Sequence, residues 1–155
     1  MSNVLSGQLG DQFFAPVGTH CILELYGCPA EALNHAGLIQ QALRDAAIVA
    51  DSTLLDEVCH QFQPHGVTAL ALLAESHISI HTWPETGYAA VDVFTCGAHT
   101  QPDKACLHLV KALQAAHHTL QKLERHLPRM PQIPQRPSAH YHAEAQPSDA
   151  LMALS

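Results

Sequence analysis

The fold is decided by two consecutive segments, AESHISIHTWPE at residues 74–85 and GYAAVDVFTCG at residues 87–97. In the first segment, Ile78 and Ile80 alternate with histidine and serine residues, which is the period-two pattern of a β-strand with one apolar face. Pro84 marks the turn into a second strand. The polar face of the first strand therefore carries imidazoles and hydroxyls, which are groups that can move protons.

Length and composition are those of one globular domain. The chain has 155 residues, 47% of them hydrophobic, and its mean hydropathy is close to zero, so it can bury a core without a second domain. No apolar run approaches the roughly 20 residues that cross a bilayer, and the N-terminus lacks the basic and apolar regions of a signal peptide. We therefore expect a cytoplasmic protein with no membrane contact.

Charge argues against a nucleic-acid partner. Seven Lys and Arg stand against fourteen Asp and Glu, a net charge of -7, whereas phosphate binding needs a clustered basic surface. A cationic substrate is compatible with this sign.

The five cysteines form an odd set without a CxxC pair, so we expect four of them to be free thiols in the core: Cys21, Cys28, Cys59 and Cys106.

Periodicity predicts the elements on either side of the central segments. Ahead of them we expect a strand over 19–26, one helix from Pro29 to Ala50, and strands over 53–62 and 66–74. After them, Pro102 opens a helix in which apolar residues recur at steps of three and four. That series predicts a helix as far as Leu127, and it consists of Cys106, Leu109, Leu113, Ala116, Leu120, Leu123 and Leu127.

The two ends of the chain lack such patterns. Residues 1–18 have no clear period and are predicted to be an irregular lead-in. Residues 128–155 hold half of all the prolines, mixed with Gln, Ser and His, and are predicted to be a disordered tail. The domain between them, residues 19–127, is expected to be an α+β two-layer sandwich, a mostly antiparallel sheet with two helices on one face. The bare face of that sheet must be polar or covered by a partner.

The central motif resembles a known family. Glu-Ser-His at 75–77, Ile-His-Thr-Trp-Pro-Glu at 80–85 and Phe-Thr-Cys-Gly at 94–97 closely resemble the short prokaryotic form of S-adenosylmethionine decarboxylase, and the resemblance runs from about Thr19 to about Leu127. It implies a proenzyme that cuts itself between Glu75 and Ser76 into two chains. It also implies homodimers with active sites at the subunit interface, and a product that donates an aminopropyl group in spermidine synthesis.

The resemblance assigns roles in self-cleavage. The Ser76 hydroxyl would attack the Glu75 carbonyl to give an ester, and removal of the Ser76 Cα proton would then eliminate the Glu75 carboxylate. Hydration and loss of ammonia leave a pyruvoyl cofactor at the start of the chain 76–155. His81 matches the family's processing base, and imidazole can be a neutral base near neutral pH. Thr68 stands where the family commonly has a serine that helps processing.

The resemblance also assigns roles in decarboxylation. The substrate amine would form a Schiff base with the pyruvoyl carbonyl, which withdraws electrons as carbon dioxide leaves. Cys96 matches the proton donor to the resulting carbanion, since a thiol can donate at neutral pH. Phe62 matches the aromatic that stacks on adenine, and Glu85 matches the acid that binds the ribose hydroxyls. Thr86 departs from many relatives, which have tyrosine at the rim of the site.

Without the family motif, these residues have more ordinary interpretations. A serine at a strand end usually only forms hydrogen bonds, Phe62 would be assigned to the core, and Glu85 to a solvated turn. His77 and His81 suggest a metal pair, but residues four apart on a strand are about 13 Å from each other. We therefore predict no metal site.

Three alternatives stay open at this point. The same machinery decarboxylates arginine or ornithine in relatives of this fold, although Phe62 and Glu85 suit a nucleoside better than a small basic amino acid. Thirteen histidines are compatible with a non-enzymatic metal-binding protein, but they are scattered. A catalytically silent paralogue is the third alternative, and the presence of Ser76, His81 and Cys96 together argues against it.

Overall fold

A six-stranded antiparallel sheet with helices on one face makes up residues 13–128, the part of the chain that the computed structural model describes. The predicted α+β two-layer fold is confirmed. The elements in chain order are β1 (Phe13–Tyr26), α1 (Ala30–Leu33), α2 (Ala36–Val49), β2 (Leu54–Gln61), β3 (Val67–Leu73), β4 (Ser76–Trp83), β5 (Tyr88–Cys96), α3 (Pro102–Ala112) and β6 (His117–Pro128), with a short 3-10 turn, Pro84–Thr86, between β4 and β5.

The strand order across the sheet is β2-β3-β4-β5-β1-β6. β3, β4 and β5 follow one another as neighbours, as the two central segments predicted. β1 lies between β5 and β6, so the first and last described strands pair with each other. In register, His81 lies opposite Thr68 of β3, and His77 lies opposite Phe94 of β5.

The core lies between the sheet and the helices. Alternate residues of the inner strands are buried, which confirms the period-two pattern of β4, and small residues in α2 let it pack closely on the sheet. Full burial of one Leu or Ile contributes about 1.5–3 kcal/mol. The largest fully buried side chains are Leu23, Leu25, Leu33, Ile39, Leu43, Ile78, Ile80, Leu109, Leu113, Val67, Val91 and Val93.

Four cysteines behave as predicted. Cys21, Cys28 and Cys106 are buried, and Cys59 is partly buried against the same core. Cys96, at the end of β5, is also partly exposed. The five thiols are all free.

Two predicted boundaries are corrected at the N-terminal side. The single helix predicted from Pro29 to Ala50 is broken at Asn34 and His35, because the His35 Nδ1 accepts the backbone N–H of Leu38 at 3.0 Å and so caps the start of α2. β1 begins at Phe13 rather than Thr19, so the last six residues of the predicted irregular lead-in are strand. They pair with the end of β6.

The prediction of a helix as far as Leu127 is wrong. α3 ends at Ala112, Gln114 takes a positive φ of 52°, and the chain returns as β6 along the edge of β1. A helix over residues 102–127 would be about 39 Å long, whereas the nine residues of β5 span about 30 Å. Such a helix would overrun the sheet, and the N–H and C=O groups at the edge of β1 would lack partners.

The remaining terminal predictions lie outside the described residues. Pro128, the first residue of the predicted tail, is the last residue of β6, and residues 129–155 and 1–12 are not described. Within residues 13–128, none of the helices is long and apolar enough to cross a bilayer.

The second face of the sheet, here called the open face, is covered by no element of residues 13–128. Its strands present polar side chains such as His77, Ser79 and Asp92, together with apolar ones. The exposed apolar residues on it include Val58, Leu70, Leu72, Trp83 and Leu123. The face is therefore mixed in character and not simply polar.

Candidate active site

Ser76 begins β4 in a strained backbone conformation. Its φ is 144°, a region that residues with a side chain rarely adopt and that costs of the order of 1–3 kcal/mol. Ser76 nevertheless pairs in register with Thr95 of β5 and Leu73 of β3. The two neighbouring strands therefore hold the residue in place despite its strain.

The carbonyl oxygen of Glu75, which belongs to the peptide bond before Ser76, accepts a hydrogen bond from the backbone N–H of Cys96 at 2.8 Å. A donor fixed at this oxygen polarises the carbonyl and stabilises negative charge that develops on it. Such a donor favours nucleophilic attack on the Glu75 carbonyl.

The Glu75 carboxylate is also held. The backbone N–H of Thr53 donates to it at 2.8 Å, and the His99 Nε2 lies 3.6 Å away. The side chain is only 13% exposed. The Thr53 N–H first, and then the backbone N–H of Glu75 and His99, hold the pKa of Glu75 below its ordinary value, although partial burial opposes the effect.

His77 contacts the Ser76 hydroxyl. The Ser76 Oγ and the His77 Nδ1 are 3.2 Å apart. The His77 ring is partly buried and meets Phe94 edge-on, with ring centroids 6.2 Å apart. An imidazole thus lies within hydrogen-bond reach of the Ser76 hydroxyl, which follows the polarised carbonyl in the chain.

Cys96 lies on the open face beside Gly18 of β1, its register partner. A Cβ at Gly18 would be 2.7 Å from the Thr95 carbonyl oxygen and 3.0 Å from the Cys96 Sγ. Only glycine allows β1 to pass this close to the thiol. Because the predicted cut lies here, we call Glu75, Ser76, His77 and Cys96 the scissile end of β4.

A pocket of about 380 Å³ opens at the other end of the same strand. Within it, the Thr68 Oγ1 and the His81 Nδ1 are 2.8 Å apart, across the pairing of β3 and β4. We call this region the pocket end of β4. The pocket is lined by Phe62, His65, Gly66, Thr68, His81, Thr82, Trp83 and Glu85.

Aromatic and acidic groups shape the pocket end. Phe62 is 47% exposed and meets His60 edge-on, with centroids 4.6 Å apart, so it is not the core residue that its type alone suggests. The Glu85 carboxylate lies 3.1 Å from the His65 Nε2. The Trp83 ring packs beside Tyr88 with centroids 5.2 Å apart. The pocket therefore offers exposed aromatic faces next to a carboxylate.

The predicted site residues thus fall into two groups. Thr68, His81, Phe62 and Glu85 meet at the pocket end, whereas Glu75, Ser76 and Cys96 meet at the scissile end. His81 is five positions after Ser76 along the strand, roughly 16 Å away. Within one chain, the structure does not bring these two residues together.

Several residues of the two ends were missed by sequence reasoning. His77 was considered only as a metal ligand, and Thr53, His65 and His99 were not considered. The local signal for His77 was its place next to Ser76, but His99 and Thr53 approach Glu75 only through the fold. Among residues 13–128, no three His, Cys, Asp or Glu side chains are arranged so that they could hold one metal ion.

Comparison with known proteins identifies the family. The family model described as S-adenosylmethionine decarboxylase matches residues 19–126 of this chain. The chain belongs to the S-adenosylmethionine decarboxylase family. Its members are decarboxylases, so the family and the enzyme class predicted from the central motif are confirmed.

Relatives in the S-adenosylmethionine decarboxylase family are close over most of their length. The S-adenosylmethionine decarboxylase proenzyme of Synechococcus sp. (strain WH7803) is 58% identical over 112 residues, which cover 72% of this chain and 88% of that protein. The proenzyme of Caldicellulosiruptor saccharolyticus is 44% identical over 111 residues, which cover 72% of this chain and 90% of that protein.

A solved member of the S-adenosylmethionine decarboxylase family has the same fold. The crystal structure of adenosylmethionine decarboxylase from Aquifex aeolicus VF5 superimposes with a TM-score of 0.70 at 36% sequence identity. The match covers 78% of this chain and the whole of that one. The sheet and helices described above are therefore those of a decarboxylase of this family.

Proposed function

We propose that this chain is a proenzyme that cuts itself between Glu75 and Ser76 and then decarboxylates S-adenosylmethionine. The observation that carries the proposal is the geometry of the Glu75–Ser76 peptide bond. Its carbonyl accepts the Cys96 N–H at 2.8 Å, and the residue after it has a φ of 144°. Strain and a fixed donor both lower the barrier to attack on an amide that is otherwise inert.

Self-cleavage would convert Ser76 into a pyruvoyl group. The Ser76 Oγ bonds to the Glu75 carbonyl carbon, and the C–N bond breaks as the nitrogen takes a proton, which leaves an ester. A base then removes the Ser76 Cα proton, and the Glu75 carboxylate leaves. The dehydroalanine left at residue 76 then takes up water and releases its nitrogen as ammonia, which gives the pyruvoyl group. Residues 76–155 form a second chain. His81, held by Thr68 at 2.8 Å, is the proposed base for the Cα proton.

We propose that the His81 of a second copy of the chain removes the Cα proton of Ser76. At roughly 16 Å on the same strand, His81 cannot reach the Cα proton of its own Ser76. Two copies related by a two-fold axis, with their open faces together, would set the pocket end of one β4 against the scissile end of the other. The exposed apolar residues of the open face, including Leu72 and Leu123, support such a homodimer.

The pocket end supports a nucleoside substrate. An exposed Phe62 ring can stack on adenine and can also favour the sulfonium cation, and Glu85 can accept hydrogen bonds from the ribose hydroxyls. Arginine and ornithine have no group that needs either residue. S-Adenosylmethionine is therefore the proposed substrate, and the two amino acids are the alternatives that an assay has to include.

The scissile end supports the decarboxylation itself. When present, the pyruvoyl group supplies an electron sink for the electron pair of the Cα–carboxyl bond, which breaks as carbon dioxide leaves. Cys96, which lies on the open face and whose N–H binds the Glu75 carbonyl, is the proposed donor of the proton that replaces carbon dioxide. The product would be an aminopropyl donor for spermidine synthesis, and we place the reaction in the cytoplasm.

Mass and activity measurements on the purified protein test this proposal. Two fragments that meet at Glu75 and Ser76, the second without a free amino terminus, are expected under denaturing conditions. The cut protein should release carbon dioxide from carboxyl-labelled S-adenosylmethionine in preference to arginine and ornithine. The Ser76→Ala variant should stay whole and inactive. A wild-type chain of full mass would contradict the proposal.

A further inference from the structure

The Ser76 hydroxyl has a base beside it in its own chain. Attack on the Glu75 carbonyl requires the Oγ proton to leave, and the His77 Nδ1 lies 3.2 Å from that oxygen. This distance is within the range in which a general base can take a proton. The proposed base for the later step, His81, lies at the far end of the strand and is bound to Thr68.

The other imidazole near the cut is already engaged. His99 faces the Glu75 carboxylate through its Nε2 at 3.6 Å, and its ring packs over Gly97, where an added Cβ would be 2.9 Å from its Cε1. His20 pairs with Asp92 at 3.0 Å. Among the histidines of residues 13–128, His77 is the one whose ring nitrogen hydrogen-bonds the Ser76 hydroxyl.

The surroundings of His77 suit proton transfer. Its ring is partly buried, and its neighbours across the two adjoining strands are Leu72 and Phe94. Phe94 meets the ring edge-on. The contact with Phe94 helps to fix the orientation of the imidazole whose Nδ1 lies 3.2 Å from the Ser76 Oγ.

We propose that His77 is a catalytic residue of self-cleavage, the base for the first of its two proton removals. Its Nδ1 takes the Oγ proton as the Ser76 oxygen bonds to the Glu75 carbon, while the Cys96 N–H stabilises the oxyanion. The imidazolium returns this proton to the Ser76 nitrogen as the C–N bond breaks, so no external acid or oxidant is needed. The inference rests on the proposed function and deepens it.

Two histidines then divide the reaction between two chains. His77 takes the proton of the Ser76 hydroxyl in its own chain, so that the ester forms. The partner's His81 then removes the Cα proton, so that the ester breaks and the Glu75 carboxylate leaves. Loss of either histidine should stop cleavage, but at different points. His81→Ala should stop with the ester formed, whereas His77→Gln should stop with the amide intact.

Hydroxylamine distinguishes these two points because it cleaves esters readily and amides slowly. Purified uncut His81→Ala is expected to split at residue 75 on treatment, to give a hydroxamate on Glu75 and an unmodified Ser76 amino terminus by mass. His77→Gln is expected to cut itself about 10²–10⁴ times more slowly than wild type and to resist hydroxylamine. His118→Ala, a change at an exposed histidine of β6, is the matched control and should behave as wild type.

Folding is checked in the same preparation. His77→Gln keeps His81, so on co-expression it should restore cutting of the His81→Ala chain, and its thermal unfolding should match that of Ser76→Ala. If a folded His77→Gln cuts at the wild-type rate, or accumulates an ester as His81→Ala does, His77 is not the base. A wild-type chain that stays whole would instead remove the proposed function, and this inference with it.

Discussion

The two ends of β4 are built by different means. At the scissile end, the distinctive features are mostly backbone ones. Ser76 has a positive φ, and the N–H groups of Cys96 and Thr53 bind the carbonyl and the carboxylate of Glu75. At the pocket end, the distinctive features are side chains that line an open pocket, and His81 is hydrogen-bonded to Thr68. The difference teaches that site residues predicted on one strand need not meet within one chain: Ser76 and His81 are five positions apart, roughly 16 Å.

Mixing two inactive variants tests whether the ends meet between chains, and it should give the largest effect. Neither Ser76→Ala nor His81→Ala should cut itself. Co-expressed in equal amounts, they should form mixed dimers, roughly half of the total, if the chain is a homodimer. Each mixed dimer joins the Ser76 of one chain to the His81 of the other, so about half of the His81→Ala chains should be cut, as measured by mass.

The control is the double variant Ser76→Ala/His81→Ala mixed with His81→Ala, which supplies no His81 and should restore nothing. If His81→Ala alone cuts at the wild-type rate, or if the first mixture stays whole although sedimentation shows dimers, the site is not shared between copies.

A substitution at Cys96 distinguishes the role of its backbone N–H from the role of its thiol. Its N–H stabilises the Glu75 carbonyl, and a Cys96→Ala variant keeps that group. Cleavage should therefore continue, while decarboxylation should fall by about 10²–10⁴ because the thiol is lost. Fragment masses and carbon dioxide release measure the two steps separately.

Cys59→Ala, at a thiol of β2 that packs on the core, is the matched control and should decarboxylate at the wild-type rate. Full decarboxylation by a cut Cys96→Ala protein would assign the proton donor elsewhere.

Glu85 tests the pocket end alone, with a smaller effect. Glu85→Gln removes a charged acceptor, and hydrogen bonds to charged groups contribute about 1.5–3 kcal/mol. The KM for S-adenosylmethionine should therefore rise roughly tenfold or more, with cleavage unchanged. His65→Ala removes only a partly exposed ion partner of Glu85 and should raise KM by about fivefold at most. Equal KM values in Glu85→Gln and wild type would remove Glu85 from the substrate site.

The Glu75 carboxylate should give the smallest effect, one that depends on pH. Because the pKa of Glu75 is below its ordinary value of 4.5 in the folded chain, its contribution to stability is present above that value and is lost as pH falls through the folded pKa. In a Ser76→Ala background, Glu75→Gln should lower the thermal midpoint at neutral pH. The difference should shrink on acidification, and a difference that grew instead would contradict the assignment.

Local pattern predicted the centre of the sheet well. Ile78 and Ile80 alternate with polar residues, and a strand is the only element that buries both on one face, so β4 was found within its bounds. The family motif on β4 and β5 predicted Ser76, His81 and Cys96 as site residues, and their roles remain predictions. Pattern and motif worked here because the relevant residues are close together in sequence.

The edge of the sheet was mispredicted because the deciding contacts are distant in sequence. Leu120 and Leu123 are spaced as on a helix, but in β6 they point to opposite faces, and each is more than a third exposed. The free edge of β1, about a hundred residues earlier in the chain, decides that they form a strand. Likewise, the strain at Ser76 and the contacts of Thr53 and His99 with Glu75 arise only when three separate segments meet.

The order of strands has a consequence for the chain once the proposed cut is made. The bond between Glu75 and Ser76 lies in the turn from β3 to β4, so one fragment would keep β1, β2 and β3, and the other would keep β4, β5 and β6. In the sheet order β2-β3-β4-β5-β1-β6, the first fragment's β1 is clasped between two strands of the second, and β3 pairs with β4. The two fragments would share one sheet, and they could separate only if three strand pairings opened together: β3 with β4, β5 with β1, and β1 with β6.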